Sequence, residues 1–529
     1  MIYWTSLTFF LLSCILFTIK RLLRYLRYLQ QEEYSPGRFL HWVWQHRAFD
    51  RRGSLVLLLM GLCFPFFPYL SQFIGSLCII GISLWEEDPR KKGKLRLIMT
   101  PRAQRIYFAA LSVYFLMQVP ALLLSQNLFW VVQIFLFQLT PLWLVVSVSL
   151  LSWDESRRQK KLILEAKQRF AETSPYVIGI TGSYGKTSTK DALGNILQVA
   201  LAPTFWPEKG VNTPMGITRE IRTKLFPGAE YAVIEMGAYG RGSIKRLCAL
   251  TPPHAGIITG IGIAHLDRFG DQQTIQRAKG ELAQAIPEEG ILVCNGDNPG
   301  ARNIAKDNPK AQTLLYGFDN KENDLDCWIS SADTTPNGSL FTLHWKETSY
   351  EGTTPLLGTP ALSNIAAAFT MACALGTQPE FALAAIANLK SVNNRLELHK
   401  DEEITYLKDA YNSNPEGFAS ALEVLSTIPA KSRILMTPGM IELANQNYEQ
   451  HEKIGRKAAQ VCDLAIIVGT TNRESLTRGL QLGGMPSEKI VHTQNRDQAF
   501  QELHSHLEAG DAVLIENDLP DLFETAEKF

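Results

Sequence analysis

Thr181-Gly182-Ser183-Tyr184-Gly185-Lys186-Thr187-Ser188 gathers two glycines, one lysine and several hydroxyl side chains in eight positions. Those residue types in that order make a cradle for phosphate. Glycines let backbone N–H groups close around an anion, and a lysine supplies a point charge to the terminal phosphate oxygens. A threonine hydroxyl directly after the lysine is a hard ligand for Mg2+. The spacing departs from the general phosphate loop, which has a glycine six residues before the lysine. Ile180 stands there, and Gly179 is out of register by one. The match is to the shorter pattern Thr-Gly-x-x-Gly-Lys-Thr/Ser. Gly-Lys-Thr alone is common by chance, so its setting decides. An apolar run over Tyr176–Thr181 precedes it and a helical pattern over about Lys186–Ala200 follows. A strand, a glycine turn and a helix N-terminus are what a phosphate site needs.

The elements around this loop read as alternating strands and helices. Further strands are expected at Tyr231–Glu235, Ala255–Thr259, Gly290–Asn295 and Thr313–Tyr316. That rhythm predicts a parallel sheet covered by helices. Residues 324–350 are polar and β-like, and predict a small antiparallel addition. Leu362–Leu375 and Glu380–Leu389 predict two helices that close this domain, and Ser391-Val392-Asn393-Asn394 is the expected hinge. A second α/β pattern follows, with strands expected at Thr405–Asp409, Ser432–Thr437, Leu464–Val468, Lys489–His492 and Ala512–Glu516. It predicts an open Rossmann-like sheet. It lacks GxGxxG, so no dinucleotide is inferred.

The first third differs. Ile2–Ile19, Ser54–Trp85, Ile106–Leu124 and Leu128–Trp153 are apolar runs, the second broken by Pro65 and Pro68. A helix needs about 20 apolar residues to cross a bilayer core. The runs predict an α-helical transmembrane domain of about five spans over residues 1–153, with the second run either a hairpin of two short spans bent at its prolines or one span plus a re-entrant piece. Basic residues gather after the first run, between the second and third, and after the last. Such segments face the cytoplasm, which puts the soluble domains there and the protein in the inner membrane, in contact with membrane lipids. The first run has no basic residue before it and is read as an anchor rather than a cleaved signal. A bare anchor with no chemistry is at least as good a reading of this region as a substrate-binding one.

Lys+Arg and Asp+Glu number 52 each, a balance that excludes a strongly basic nucleic-acid binder. The eight cysteines are scattered without CxxC or CxxH spacing, which argues against a zinc site and a disulfide framework.

Several stretches follow the phosphate loop in order. They are Asn212-Thr213-Pro214-Met215-Gly216, Ile234-Glu235-Met236-Gly237-Ala238, Gly260–Gly270 around His265, Ala278-Lys279-Gly280-Glu281-Leu282 and Asn295-Gly296-Asp297-Asn298-Pro299. Asn394-Arg395-Leu396-Glu397, residues 408–415 and Thr437–Leu443 come later. Together they resemble the Mur ligase family, and within it the branch that adds D-alanyl-D-alanine to a muramoyl tripeptide. The resemblance runs from about Pro175 to the C-terminus. It implies a central ATP-binding domain over 175–390, a C-terminal domain over 391–529, and ATP-dependent joining of a carboxylate to an amine through an acyl phosphate. ATP and Mg2+ are the implied cofactors. The implied partners are a carboxylate acceptor from the cell-envelope pathway and an amine such as D-alanyl-D-alanine.

By that resemblance, Lys186 and the loop from Thr181 to Ser188 hold the phosphates. Thr187 and Glu235 hold one Mg2+, and His265 a second. Lys279 matches a lysine that is commonly carbamylated, Asn295 a residue at the adenine, and Arg395 and Asp409 groups that reach phosphate and ribose when the domains close. Asn412 and Asn414 shape the same site. Taken singly, each has a blander reading, such as a structural histidine at 265, a solvated helix lysine at 279 or a surface ion pair at 395. The shared order of motifs is what favours function.

Three departures stand out. Pro360 and Ala361 replace a usual His-Asn pair before Asn364, and Tyr239 stands where the branch often has Asn. Apolar runs occupy the front, where soluble members bind a nucleotide sugar. Two other functions stay open: a membrane-bound poly-γ-glutamate or amino-acid ligase of the same superfamily, and a non-catalytic ATP-binding scaffold.

Overall fold

The computed structural model describes residues 2–91, 95–263, 266–308, 311–318, 320, 324–335, 337–390, 395–410, 413–441 and 443–517. His265, Tyr411, Asn412, Glu442 and the expected hinge at Ser391–Asn394 lie outside the described residues. Chain contacts divide the molecule after Arg158 into two compact units.

The first unit is helical. Its elements are α1 (Ile2–Gln31), α2 (Pro36–Gln45), α3 (Arg52–Cys63), α4 (Pro68–Trp85), α5 (Pro101–Ala121), α6 (Gln126–Gln138) and the start of α7 (Thr140–Thr173). Among the described residues two helices are long and apolar enough to cross a membrane, Trp4–Gln31 and Pro68–Trp85. A third span results if α6 and α7, bent by 65° at their junction, count as one. By length and composition the described residues thus give two or three such helices, where about five spans were expected. The run at Ser54–Trp85 does break at its prolines, yet α3 has only 12 residues. The run at Ile106–Leu124 belongs to α5 as far as Ala121, and that helix also holds Arg102, Gln104, Arg105 and Gln118. The run at Leu128–Trp153 bends at Leu139, because Pro141 has no N–H to continue the ladder.

Of the basic residues after the first run, Lys20, Arg21, Arg24 and Arg27 lie on α1 itself rather than in a loop. Arg21 is fully buried and ion-pairs with Asp50 at 3.0 Å and Glu86 at 2.7 Å, tying α1 to the residues that precede α3 and follow α4. Gln118 and Gln133 exchange amide hydrogen bonds at 3.1 and 2.8 Å, which satisfies both polar groups between α5 and α6.

The second unit carries two sheets. The strands of the first are β1 (Tyr176–Thr181), β2 (Thr204–Phe205), β3 (Tyr231–Glu235), β4 (Ala255–Ile258), β5 (Ile291–Asn295), β6 (Gln312–Gly317), β7 (Cys327–Thr335), β8 (Gly338–Trp345) and β9 (Thr348–Thr354). Among the described residues their order is β2-β3-β1-β4-β5-β6-β7-β8-β9, parallel as far as β7 and antiparallel beyond. β1 is central and apolar on both faces, as a parallel strand covered by helices must be. The second sheet has β10 (Glu397–Asp401), β11 (Ile404–Asp409), β12 (Arg433–Thr437), β13 (Leu464–Val468), β14 (Ile490–Thr493) and β15 (Ala512–Glu516), in the order β10-β11-β15-β12-β13-β14. Among the described residues only β10 runs antiparallel to its neighbour.

Candidate active site

β1 delivers the chain to Thr181 and the helix Lys186–Ala200 carries it away. Gly185 sits at the turn into that helix with φ +78°, where an added Cβ would lie 2.2 Å from Asn364 Oδ1. At Gly182 a Cβ would lie 1.9 Å from Thr259 Oγ1. Both glycines are therefore fixed by close approach as well as by conformation. The loop is braced from the end of β4: Ser183 N donates to Gly260 O at 2.7 Å and Gly262 N to Ser183 Oγ at 2.9 Å. The Thr181 hydroxyl donates to Met236 O at 2.8 Å. A helix N-terminus behind such a loop favours an anion.

Two lysines converge on the loop. Lys186 Nζ donates to Gly182 O at 2.9 Å and Ser183 O at 3.2 Å, and Lys279 Nζ donates to the same Gly182 oxygen at 2.8 Å. Burial, and then the charge of Lys186, hold Lys279 well below the usual lysine range. Burial also lowers Lys186, while Glu235 pulls it back up and Arg395 pushes it down. Lys279 reaches the loop because its helix, Gln272–Ala285, lies low on the sheet. Beneath it are Gly179 on β1 and Gly256 on β4, where a Cβ would come within 2.7 Å of Leu282 Cδ1 and of Ile286 Cδ1 respectively.

The candidate cation ligands also meet. Thr187 Oγ1 donates to Glu235 Oε2 at 2.9 Å, both side chains being buried. Asn212 Nδ2 donates to the other carboxylate oxygen at 2.9 Å, and Lys190 Nζ lies 4.0 Å from Oε2. A buried hydroxyl and carboxylate beside a phosphate cradle are hard oxygen donors that fit Mg2+. The loop itself fits a nucleoside triphosphate, since it runs from a strand end into the N-terminus of the helix Lys186–Ala200, where backbone N–H groups and Lys186 favour an anion.

A cavity of about 570 Å3 opens beside the loop. Tyr184, Ser188 and Asn295 line it from the first α/β lobe, and Arg395, Asp409 and Asn414 from the second. Asn295 Nδ2 donates to Thr259 O at 2.8 Å, which orients its side chain at the end of β5. Asp409 accepts from Leu396 N at 3.3 Å. Burial raises its carboxyl to about 6, against the pull of the Leu396 N–H and of Arg395. Its register partner Glu516 is fully buried and held well above the usual carboxylate range by burial and by Asp409. Pro360 and Ala361 line the cavity at the start of the helix Thr359–Ala374, and Asn364 Oδ1 accepts from the Thr189 hydroxyl at 3.1 Å.

The loop residues, Lys186, Lys279, Thr187 and Glu235 are thus together, and Asn295, Arg395 and Asp409 face the adjoining cavity. Sequence reasoning passed over Asn212, Lys190 and Glu516. Asn212 stood inside a recognised stretch without a role, whereas Lys190 and Glu516 give no local signal, being defined by burial alone. His451 accepts the Met440 N–H on Nε2 at 2.7 Å and so pins the turn after β12.

Two family models match the chain: the Mur ligase middle domain over residues 180–372, and the Mur ligase, glutamate ligase domain over residues 394–516. The UDP-N-acetylmuramoyl-tripeptide–D-alanyl-D-alanine ligase of Bacillus subtilis is 31% identical over 363 residues, 66% of this chain and 74% of the relative. The enzyme of the same name from Mycobacterium leprae is 29% identical over 370 residues, 64% of this chain and 70% of the relative. Among solved structures, MurF from Acinetobacter baumannii aligns with a TM-score of 0.61 at 25% identity, covering 68% of this chain and 77% of that one. MurF ligase from Thermotoga maritima in complex with ADP gives 0.60 at 25% identity, covering 68% and 80%. The same two lobes that build the phosphate loop and close the cavity are the ones these relatives share, and the chain belongs to the Mur ligase family.

Proposed function

We propose that this chain is an ATP-dependent, ADP-forming amide ligase that adds D-alanyl-D-alanine or a similar amine to a cell-wall precursor. The observation that carries this reading is the meeting of Lys186, Lys279, Thr187 and Glu235 at one loop beside a cavity that Arg395 and Asp409 complete from the second lobe. The proposed domains are a membrane domain over 1–153, an ATP-binding domain over 175–390 and a C-terminal domain over 391–529.

The chemistry is two substitutions. An acceptor carboxylate oxygen bonds to the γ-phosphorus of ATP and ADP leaves. The amine nitrogen then bonds to the acyl carbon, phosphate leaves, and the nitrogen gives up a proton. The loop N–H groups and Lys186 bind and orient the phosphates. Thr187 and Glu235 would hold Mg2+, which neutralises charge on the triphosphate. Asn295 and Asp409 orient adenine and ribose, and Arg395 reaches the phosphates. Lys279, buried and held well below the usual lysine range, is suited to carbamylation, which would make it an anion beside the loop. His265 is proposed as a further cation ligand.

The helices Trp4–Gln31 and Pro68–Trp85 support a multi-pass place in the cytoplasmic membrane, in contact with lipid, with the α/β lobes in the cytoplasm. The acceptor is then a precursor presented at that membrane face. The test is phosphate release by purified protein with candidate acceptors supplied one at a time. Release that requires both an acceptor carboxylate and D-alanyl-D-alanine supports the ligase. Release independent of both overturns it, and equal use of soluble and lipid-linked acceptors overturns presentation at the membrane.

A further inference from the structure

Tyr239 stands at the outer end of a hydrogen-bond chain that finishes on the cation side of the phosphate loop. Its hydroxyl donates to Asn212 Oδ1 at 2.8 Å, Asn212 Nδ2 donates to Glu235 Oε1 at 2.9 Å, and the Thr187 hydroxyl donates to Glu235 Oε2 at 2.9 Å. An amide side chain has a donor end and an acceptor end. Held only by the carboxylate, Asn212 would keep one hydrogen bond and remain free to swing about its side-chain torsions. The phenol occupies the acceptor end, so both ends are fixed and Nδ2 stays on Glu235.

The backbone agrees with this arrangement. Gly237 N donates to Asn212 O at 3.1 Å, and a Cβ on Gly237 would come within 2.9 Å of Asn212. The segment that carries Asn212 therefore lies directly against the end of β3. From the other side, the fully buried Lys190 donates to the carbonyl of Lys209 in that segment. Glu235 is 1% exposed. Its direction is set by the donors around it, and Tyr239 controls one of them.

We propose that Tyr239 is a positioning residue for the divalent-cation site, acting through Asn212 on the Glu235 carboxylate. The inference rests on the ligase reading above, in which Thr187 and Glu235 hold Mg2+.

The test uses the full-length protein in detergent with Mn2+ as the probe. Free Mn2+ is read by electron paramagnetic resonance at saturating ADP, and ADP binding is measured separately in EDTA. Tyr239→Phe keeps the ring and removes the hydroxyl. It is expected to weaken Mn2+ binding by about tenfold, the low end of the effect of losing a ligand's hydrogen-bond partner, because it frees Asn212, which is that partner. ADP binding in EDTA should stay within about twofold of wild type, below the roughly tenfold effect sought. Asn212→Leu should weaken Mn2+ by a similar factor, and the double variant should add nothing further, because both act through one path. Unchanged Mn2+ affinity in Tyr239→Phe overturns the proposal, as do additive losses in the double variant. Loss of ADP binding in EDTA assigns the effect to the fold and also overturns it. A wild type that binds ADP but no Mn2+ overturns the cation assignment to Thr187 and Glu235 as well, which separates the two failures.

Discussion

Lys186 and Lys279 donate to one acceptor, the carbonyl oxygen of Gly182, at 2.9 and 2.8 Å. Two ammonium groups so placed repel each other, and burial penalises both charges. Lys279 yields, held well below its usual range by burial and by Lys186. That shift favours the amine over the ammonium, and only the amine has the lone pair that adds CO2.

The first prediction follows from that sign. A lysine whose folded pKa is depressed opposes folding at neutral pH, and stability rises with pH from the folded value up to the unfolded one near 10.4. Lys279→Met removes the desolvated amine and should melt at or above the wild-type temperature, while ligation falls by about 100-fold or more. Removing dissolved CO2 should slow the wild type and leave the variant unaffected. Calorimetry and phosphate release check these two halves.

Gly185→Ala should abolish nucleotide binding in a folded protein. The residue has φ +78°, and the new Cβ would meet Asn364 Oδ1 at 2.2 Å. Gly228→Ala is the control, since Gly228 has a similar φ of +86° with nothing within 4 Å. It should lose about 1–2 kcal/mol of stability and no ADP affinity. Equal ADP titrations for the two variants would contradict the close-approach argument.

Asp409 carries a pH signature. Its carboxyl is raised to about 6, so its contribution to stability is full below the unfolded value of 3.8 and is lost as pH rises through about 6. Asp409→Asn should therefore stabilise the protein at pH 7.5 and not at pH 4. For ADP the charge works the other way. The ratio of wild-type to variant affinity should fall as pH drops through about 6, and taking a ratio cancels the titration of the nucleotide itself.

His451 predicts an acid weakness in the second lobe. Its Nε2 accepts the Met440 N–H at 2.7 Å, Nδ1 lies 2.6 Å from Asn447 O, and burial lowers its pKa from 6.5. A depressed histidine stabilises above the unfolded pKa, and the stabilisation is lost as pH falls below about 6.5. Protonation would set an N–H against the Met440 N–H. His451→Gln should be less stable at pH 7.5 and lose less on going to pH 5. Parallel acid slopes in melting experiments would refute the assignment.

The phosphate loop was legible because every level agreed there: apolar β1, glycines at the turn, and a lysine opening a helix. β3, β13 and β15 were readable for the same reason, as apolar runs covered on both faces. β10 was missed because Glu397–Asp401 is a polar edge strand paired on one side, with no apolar alternation to betray it. β2 is only two residues long. The bend between α6 and α7 was missed because a single proline interrupts an otherwise continuous apolar run. In the site, Lys279 was visible only through its resemblance, since no local pattern tells that a helix lysine is buried. Asn212 and Tyr239 needed three dimensions, because their meaning lies in distances across the ends of strands.

Gly179 and Gly256 lie side by side under the helix that carries Lys279, at points where side chains would strike Leu282 and Ile286. Their absent methyl groups act as a gauge of layer thickness. A lysine side chain has a fixed length, so lifting its platform by the width of a methyl would leave the amine short of the Gly182 carbonyl. Selection at these two strand positions would act on side chains that are not there. In a saturation library, alanine at either should fold and fail to ligate, and the defect should be relieved by shortening Leu282 or Ile286, residues that touch no substrate.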